Sequence, residues 1–81
     1  MVKVRIWGGL RVHTGGEAEV EVDAQDLRGV VAALGARYPE MKPALEGGVS
    51  MSIDGRLYTN RWFEKVRPDS EVVVLPRIVG G

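Results

Sequence analysis

Apolar and polar side chains alternate along two segments near the start of the chain. Every second residue is apolar over residues 2–6 and again over residues 17–22, which is the period of a half-buried β-strand. Between them, residues 8–16 begin and end with pairs of glycines, as the loop of a wide hairpin would. The pattern therefore predicts two neighbouring strands. The outward positions of the second strand are all acidic: Glu17, Glu19 and Glu21.

The apolar spacing then changes to that of a helix. From residue 27 to residue 38, apolar side chains recur at intervals of three and four, so they line one helical face. Asp26 is a suitable N-cap for this helix, and Asp23 is the alternative. We expect the helix to stop before Pro39, because the residue preceding a proline is pushed out of the helical region. The apolar face is made by Leu27, Val30, Val31, Leu34 and Tyr38.

The second half of the chain returns to strand patterns. Residues 49–53 alternate apolar side chains with serines, which predicts a third strand. Asp54-Gly55 is typical of a tight hairpin turn, and it leads into a short strand over residues 56–58. The Pro-Asp-Ser sequence at residues 68–70 predicts a further turn.

The last apolar run, from Val72 to Leu75, is unbroken, which predicts a central strand covered on both faces. Pro76 ends this strand, because proline has no backbone N–H to donate. One main helix packed on one face of a mixed sheet of four to five strands would bury all of these apolar stripes, and this is an α+β fold. We therefore expect one domain over residues 1–76 and a flexible tail over residues 77–81 that ends in Gly-Gly.

Composition removes several classes of function. Eleven basic and eleven acidic residues cancel, so no excess of positive charge favours nucleic acid or an anionic membrane as a partner. The absence of cysteine excludes a thiolate nucleophile and cysteine-ligated metal sites. No apolar stretch predicts a signal peptide or a membrane span, so the cytoplasm is the expected location. Since His13 is the single histidine and lies in a glycine-bounded loop, we expect no metal site and no catalysis by the chain alone.

Several short segments carry a resemblance to a known family. Gly9-Leu10-Arg11 is similar to that family's aromatic-Ala-x-Leu-Arg segment, with Trp7-Gly8 in place of the usual Phe-Ala. Residues 34–39 resemble its helix-ending Leu-x-x-Arg-Tyr-Pro. These two matches lie at the ends of the predicted first strand and helix.

Two further segments complete the resemblance. Asp54-Gly55 matches the family's Asn/Asp-Gly hairpin, and Val74-Leu75-Pro76 followed by Gly80-Gly81 is similar to its closing Leu-Pro-x-x-x-Gly-Gly. Taken together and in this order, the segments resemble the ubiquitin-like sulfur carriers. This β-grasp family includes the small subunit of molybdopterin synthase and the thiazole-synthesis carrier (MoaD/ThiS-like).

One segment favours a subgroup of that family. Residues 10–16 resemble the Leu-Arg-x-His-Thr-Gly-Gly of the actinobacterial carrier used in cysteine synthesis, although the chain lacks that carrier's longer insert before the third strand. The resemblance therefore favours cysteine as the destination of the sulfur, with molybdopterin, thiamin or another sulfur metabolite as the alternatives.

The resemblance implies chemistry at the C-terminal carboxylate of Gly81. A carboxylate is ionised at neutral pH and is a poor electrophile, so sulfur replaces one of its oxygens only after activation. In the family this takes an E1-like adenylating enzyme that uses ATP, a sulfur donor that forms the thiocarboxylate, and a synthase that accepts the sulfur. No cofactor is expected on the carrier itself. Gly80 and Gly81 suit this role because glycine has no Cβ and can pass through a narrow active site.

The segment around the end of the last strand is the expected contact with partner proteins. The five residues after Pro76 can extend at most about 18 Å, at roughly 3.3–3.6 Å per residue. Apolar side chains on such an arm have no core to fill. The residues expected to bind partners are Leu75, Pro76, Arg77, Ile78 and Val79.

Two other functions stay open. An activated Gly81 could instead be joined to lysines of target proteins, as in a ubiquitin-like modifier. The chain could also be a β-grasp binding module with an incidental glycine end. Trp62 and Phe63 lie side by side in a loop-like stretch, where we expect one to pack inward and the other to contact a partner.

Overall fold

The computed structural model describes residues 1–59 and 61–76, and its strands join into one five-stranded sheet. The sheet order is second, first, fifth, third, fourth. The last strand pairs in parallel with the first and antiparallel with the third, so the sheet is mixed and its last strand is central, as the sequence predicts. The strands are β1 (Val2–Ile6), β2 (Glu19–Val22), β3 (Val49–Ile53), β4 (Arg56–Thr59) and β5 (Glu71–Pro76).

The main helix, α1 (Leu27–Arg37), has the bounds that the apolar spacing predicts. Asp26, and not Asp23, is its N-cap, since Oδ1 of Asp26 accepts a hydrogen bond from the backbone N–H of Gly29 at 2.7 Å. The helix ends before Pro39, where proline forbids its continuation. Its inward face is buried at Leu27, Val30 and Leu34.

Short helical segments occupy two connections, and the first of them replaces the loop that the sequence predicts over residues 8–16. A 3-10 helix over Gly8–Thr14 joins β1 to β2. A second 3-10 helix over Pro39–Met41 runs into the short helix α2 (Lys42–Glu46). Each of the latter two has a proline in its first turn, where the missing N–H is not needed. Proline thus ends α1 and also begins the next turn.

The hydrophobic core lies between the helices and the inner face of the sheet. β1 alternates buried valine and isoleucine with exposed Lys3 and Arg5. Burying this apolar surface is the main source of stability for so small a domain. The buried apolar residues are Val2, Val4, Ile6, Leu10, Val20, Val22, Leu27, Val30, Leu34, Met41, Leu45, Val49, Met51, Val66, Val72 and Val74.

The prediction that β5 is covered on both faces is wrong. Val72 and Val74 point into the core and are 0% exposed, but Val73 and Leu75, on the opposite face, are only half-buried. On that face, Val73 has the exposed Arg5 beside it in β1. The run is unbroken because the outer face of β5 is itself apolar, and not because a second layer covers it.

Candidate functional site

The predicted tail, residues 77–81, follows directly after the last residue of β5. Leu75 is half-buried on the outer face of the sheet, opposite Ser50 in the register. Pro76 closes the strand and pairs with Val49 of β3. The other predicted site residues, Arg77, Ile78, Val79, Gly80 and Gly81, lie outside the residues that the structure describes.

Backbone hydrogen bonds hold the end of β5 on both sides. On one side the N–H of Trp7 donates to the carbonyl of Val74 at 3.0 Å, just beyond the end of β1. On the other side the antiparallel register with β3 continues through Pro76. Strands paired on both sides are among the most stable parts of a fold. The end of β5, which the predicted tail follows, therefore has a fixed position.

The 3-10 helix over Gly8–Thr14 lies beside the end of β5 and is held there by hydrogen bonds. Nε of Arg11 donates to the carbonyl of Ile6 at 2.9 Å. The buried hydroxyl of Thr14 lies 2.9 Å from the carbonyl oxygen of Arg11 and 2.7 Å from that of Glu17. Gly15 follows in the left-handed region at φ 69°, which glycine adopts without strain. Most of the segment predicted as a loop is thus an ordered 3-10 helix next to the end of β5.

The outer face of the sheet has a charged half, on β2 and β1, and a half of apolar and serine side chains, on β5, β3 and β4. One row across the strands contains Glu19, Arg5, Val73, Ser52 and Leu57, in the order β2-β1-β5-β3-β4. In the charged half, Arg5 lies 4.0 Å from the carboxylate of Glu19. These side chains are about half exposed, so such pairs contribute little stability. The charges keep that half of the face in contact with water.

Apolar side chains that are exposed or partly exposed lie on the outer face near the end of β5, where the predicted tail follows. Trp7 continues the outward alternation of β1 and is 54% exposed, and Leu57 of β4 is 57% exposed. Exposed apolar side chains that lie close together on one face are typical of protein-binding surfaces. We give the name apolar strip to four residues on this face: Trp7 just beyond β1, Val73 and Leu75 on the adjoining β5, and Leu57 on β4, with Ser52 of β3 between Leu57 and Val73.

Sequence analysis identified Leu75 in the apolar strip and missed its three neighbours. The signal was present in the two-residue period, because Trp7 follows Lys3 and Arg5 on the outward side of β1. Val73 was assigned to the core for lack of a polar residue in its run. The described residues thus place three further apolar side chains on the face of the sheet that carries Leu75.

The other features considered in the sequence are the aromatic pair Trp62 and Phe63, a metal site and a membrane span. Trp62 packs partly buried against the core and Phe63 is 73% exposed, which confirms that one of the pair faces inward. Among the described residues, no cluster of three or more histidine, aspartate or glutamate side chains is placed to hold a metal ion. Over those same residues, every helix is too short or too polar to cross a membrane.

Solved structures show the same fold. A chain of the BexX/CysO complex of Amycolatopsis orientalis superposes with a TM-score of 0.80 at 22% identity, covering 100% of both chains. Small archaeal modifier protein 1 of Methanosarcina acetivorans gives 0.82 at 21% identity, over 99% of this chain and 95% of its own. A chain of the complex of subunits 1 and 2 of the Helicobacter pylori molybdopterin-converting factor gives 0.69 at 24% identity, over 99% and 97%. These likenesses establish the β-grasp architecture.

Sequence comparison supplies the family. Among proteins with curated descriptions, none matches the chain significantly. The model of the ThiS family, in contrast, matches residues 4–81, which include part of β1, all of β2 to β5, and Gly80 and Gly81. The chain therefore belongs to the ThiS family of ubiquitin-like sulfur carriers.

Proposed function

We propose that the chain carries sulfur on the C-terminal carboxylate of Gly81. An E1-like partner transfers AMP from ATP to this carboxylate, and pyrophosphate leaves. Sulfide from a donor then displaces AMP and leaves a thiocarboxylate, from which a biosynthetic enzyme in the cytoplasm takes the sulfur. The observation that carries this proposal is the family match, which continues to residue 81 and so includes the Gly-Gly pair.

The described geometry supports this role. The end of β5 is fixed on both sides, and five residues separate Pro76 from the end of Gly81, a reach of at most about 18 Å. Because the end of β5 is fixed and the tail after it is short, the domain can dock on the outside of an enzyme while the carboxylate of Gly81 enters the active site. We propose that the apolar strip, Leu75 within it, is the docking face, and that Pro76, Arg77, Ile78 and Val79 continue the contact along the arm.

The destination of the sulfur is proposed from a shorter segment. Residues 10–16 resemble the carrier of cysteine synthesis, and the structural matches include CysO of Mycobacterium tuberculosis, with a TM-score of 0.80 at 21% identity over 96% of this chain and 100% of its own. Cysteine synthesis is therefore the first pathway to test, and molybdopterin synthesis is the next.

The central experiment is intact-mass spectrometry of the chain after incubation with ATP, sulfide and an E1-like enzyme that adenylates ThiS-family carriers. We expect a population with one oxygen replaced by sulfur. A truncated chain ending at Val79 should stay folded by circular dichroism and acquire no sulfur. A chain with one alanine added after Gly81 should also fold and stay unmodified. Sulfur uptake by either variant, or none by the wild type with an active enzyme, would contradict the proposal.

A second candidate is a protein modifier that is joined to lysines through Gly81. The likeness to small archaeal modifier protein 1 favours it. Adenylation is common to both functions, so the discriminating step comes afterwards. A ladder of lysine conjugates in the host, lost when Gly81 is deleted, would support the modifier, and a thiocarboxylate without conjugates would support the carrier alone.

A further inference from the structure

A recess lies on the helix side of the molecule, away from the apolar strip. Its volume is about 370 Å³, and it opens between the first turns of α1 and the segment that follows β4. Because Phe63 is 73% exposed, the recess is open to solvent along one wall. Its lining residues are Arg28, Val31, Trp62 and Phe63.

The walls of the recess are held in place by the backbone. The N–H of Arg28 donates to the carbonyl of Trp62 at 2.8 Å, and the N–H of Leu27 donates to the carbonyl of Glu64 at 3.0 Å. Trp62 also packs against the core, which fixes its ring. The backbone of the recess and the Trp62 ring are therefore held without a ligand, and the exposed side chains of Arg28 and Phe63 are the parts that binding would order.

Arg28 gives the recess a positive charge, which no ion pair with another described residue neutralises. Over residues 1–59 and 61–76, no hydrogen bond or ion pair engages its guanidinium, and no carboxylate lines the recess. The neighbouring Arg61 differs, because its guanidinium lies 3.1 Å from the carboxylate of Glu64. The recess thus combines an apolar floor with one available cation.

The start of α1 does not supply this positive site. The N–H groups of Leu27 and Arg28 donate to loop carbonyls, and that of Gly29 donates to the carboxylate of Asp26. The first donors of the helix are therefore already used. An anion in the recess would meet the side chain of Arg28.

We propose that this recess docks a segment of a partner protein in which an apolar side chain lies next to a carboxylate. The apolar side chain packs between Val31, Trp62 and Phe63, and the carboxylate pairs with the guanidinium of Arg28, whose planar donors suit a carboxylate. Four residues and an open wall cannot enclose most of a small molecule, as small-ligand sites do. A protein partner would instead cover the recess with its own surface. The proposal does not depend on sulfur transfer.

The test is a titration of the full ¹⁵N-labelled chain with an acetylated, amidated tetrapeptide of sequence Asp-Glu-Leu-Phe, followed by NMR. We expect saturable shifts of the Trp62 indole N–H and the Arg28 Nε–H, while the Trp7 indole stays unmoved. The neutral peptide Asn-Gln-Leu-Phe should bind about fivefold more weakly. Arg28→Gln should remove that preference, and the matched control Arg61→Gln should keep it within about twofold. Phe63→Ser should abolish the binding of both peptides.

Three results would overturn the proposal. Equal binding of the acidic and neutral peptides would show that Arg28 recognises no carboxylate. Absence of saturable shifts in these residues would show that the recess is not a docking site. Self-association of the wild type in analytical ultracentrifugation, abolished by Phe63→Ser, would show that a second copy of the chain occupies it.

Discussion

Asp54 and Glu71 exchange two hydrogen bonds, each 2.9 Å long. The N–H of Asp54 donates to the carbonyl of Glu71, and Oδ1 of Asp54 accepts from the N–H of Glu71. The pair ties the turn between β3 and β4 to the first residue of β5. Asp54 has a φ of 50° and Gly55 a φ of 86°, as expected for a hairpin turn with two left-handed residues. One aspartate thus serves both the turn and the central strand.

We predict that Asp54→Ala lowers the free energy of unfolding by about 2 kcal/mol, since alanine is strained in the left-handed region and accepts no hydrogen bond. Asp54→Asn keeps the acceptor and tolerates this conformation, so its change should stay within about 0.5 kcal/mol. Urea unfolding measures both. Equal losses in the two variants would mean that the charge, and not the acceptor, matters.

The N-cap of α1 gives a second prediction. Asp26→Ala should cost about 1 kcal/mol in urea unfolding, because the N–H of Gly29 loses its acceptor. The matched variant Asp23→Ala removes the exposed carboxylate that the sequence offered as the alternative cap, and it should change stability by less than about 0.5 kcal/mol. The reverse ranking would contradict the capping geometry.

The buried hydroxyl of Thr14 gives a third. Thr14→Val preserves shape but supplies no donor to the carbonyls of Arg11 and Glu17, so we expect a loss of about 1–2 kcal/mol. Thr14→Ser keeps the hydroxyl and should lose less. If serine proves the more damaging substitution in thermal unfolding, the methyl group rather than the hydrogen bond fixes this segment.

The fourth prediction concerns the apolar strip. Leu57→Ser should leave stability within about 1 kcal/mol, since the side chain is 57% exposed. It should raise the KM of the adenylating partner for the carrier about tenfold, the effect of losing one interface contact. As a control, Glu46→Ser changes an exposed residue of α2, on the helix side of the sheet and outside the recess, and should leave this KM unchanged. Equal effects would show that the sheet face is not the specific docking surface.

Features set by neighbouring residues could be predicted from the sequence. The alternation of Val2, Val4 and Ile6 gives the strand and its inner face together, because successive side chains point to opposite sides. Asp54-Gly55 gives the hairpin because few residues adopt both left-handed conformations. The order of elements around the family motifs then gave the architecture.

Features set by distant parts of the chain could not be predicted in the same way. Val73 has the same local pattern as a doubly buried residue, and its partial exposure is decided by residues distant in sequence, such as the exposed Arg5 beside it in β1. Helix α2 (Lys42–Glu46) is too short to show a periodic pattern, so Pro43 in its first turn was its only local sign. At the site, the sequence names the glycines, whereas the adjoining strip appears only when Trp7 and Leu57 are brought onto one face.

The position of β5 between β1 and β3 has a consequence for the biogenesis of the carrier. Without β5 the sheet consists of two hairpins with no shared edge, and β5 is the last of the described strands to leave the ribosome. Pairing of β5 with β1 joins residues such as Val4 and Val72, so this contact forms late and closes a long loop. The two hairpins therefore take fixed positions relative to each other only once β5 has paired with both. The row of Glu19, Arg5, Val73, Ser52 and Leu57 on the outer face is complete only in the fully folded chain, so an enzyme that docked there, as proposed above, would select folded molecules.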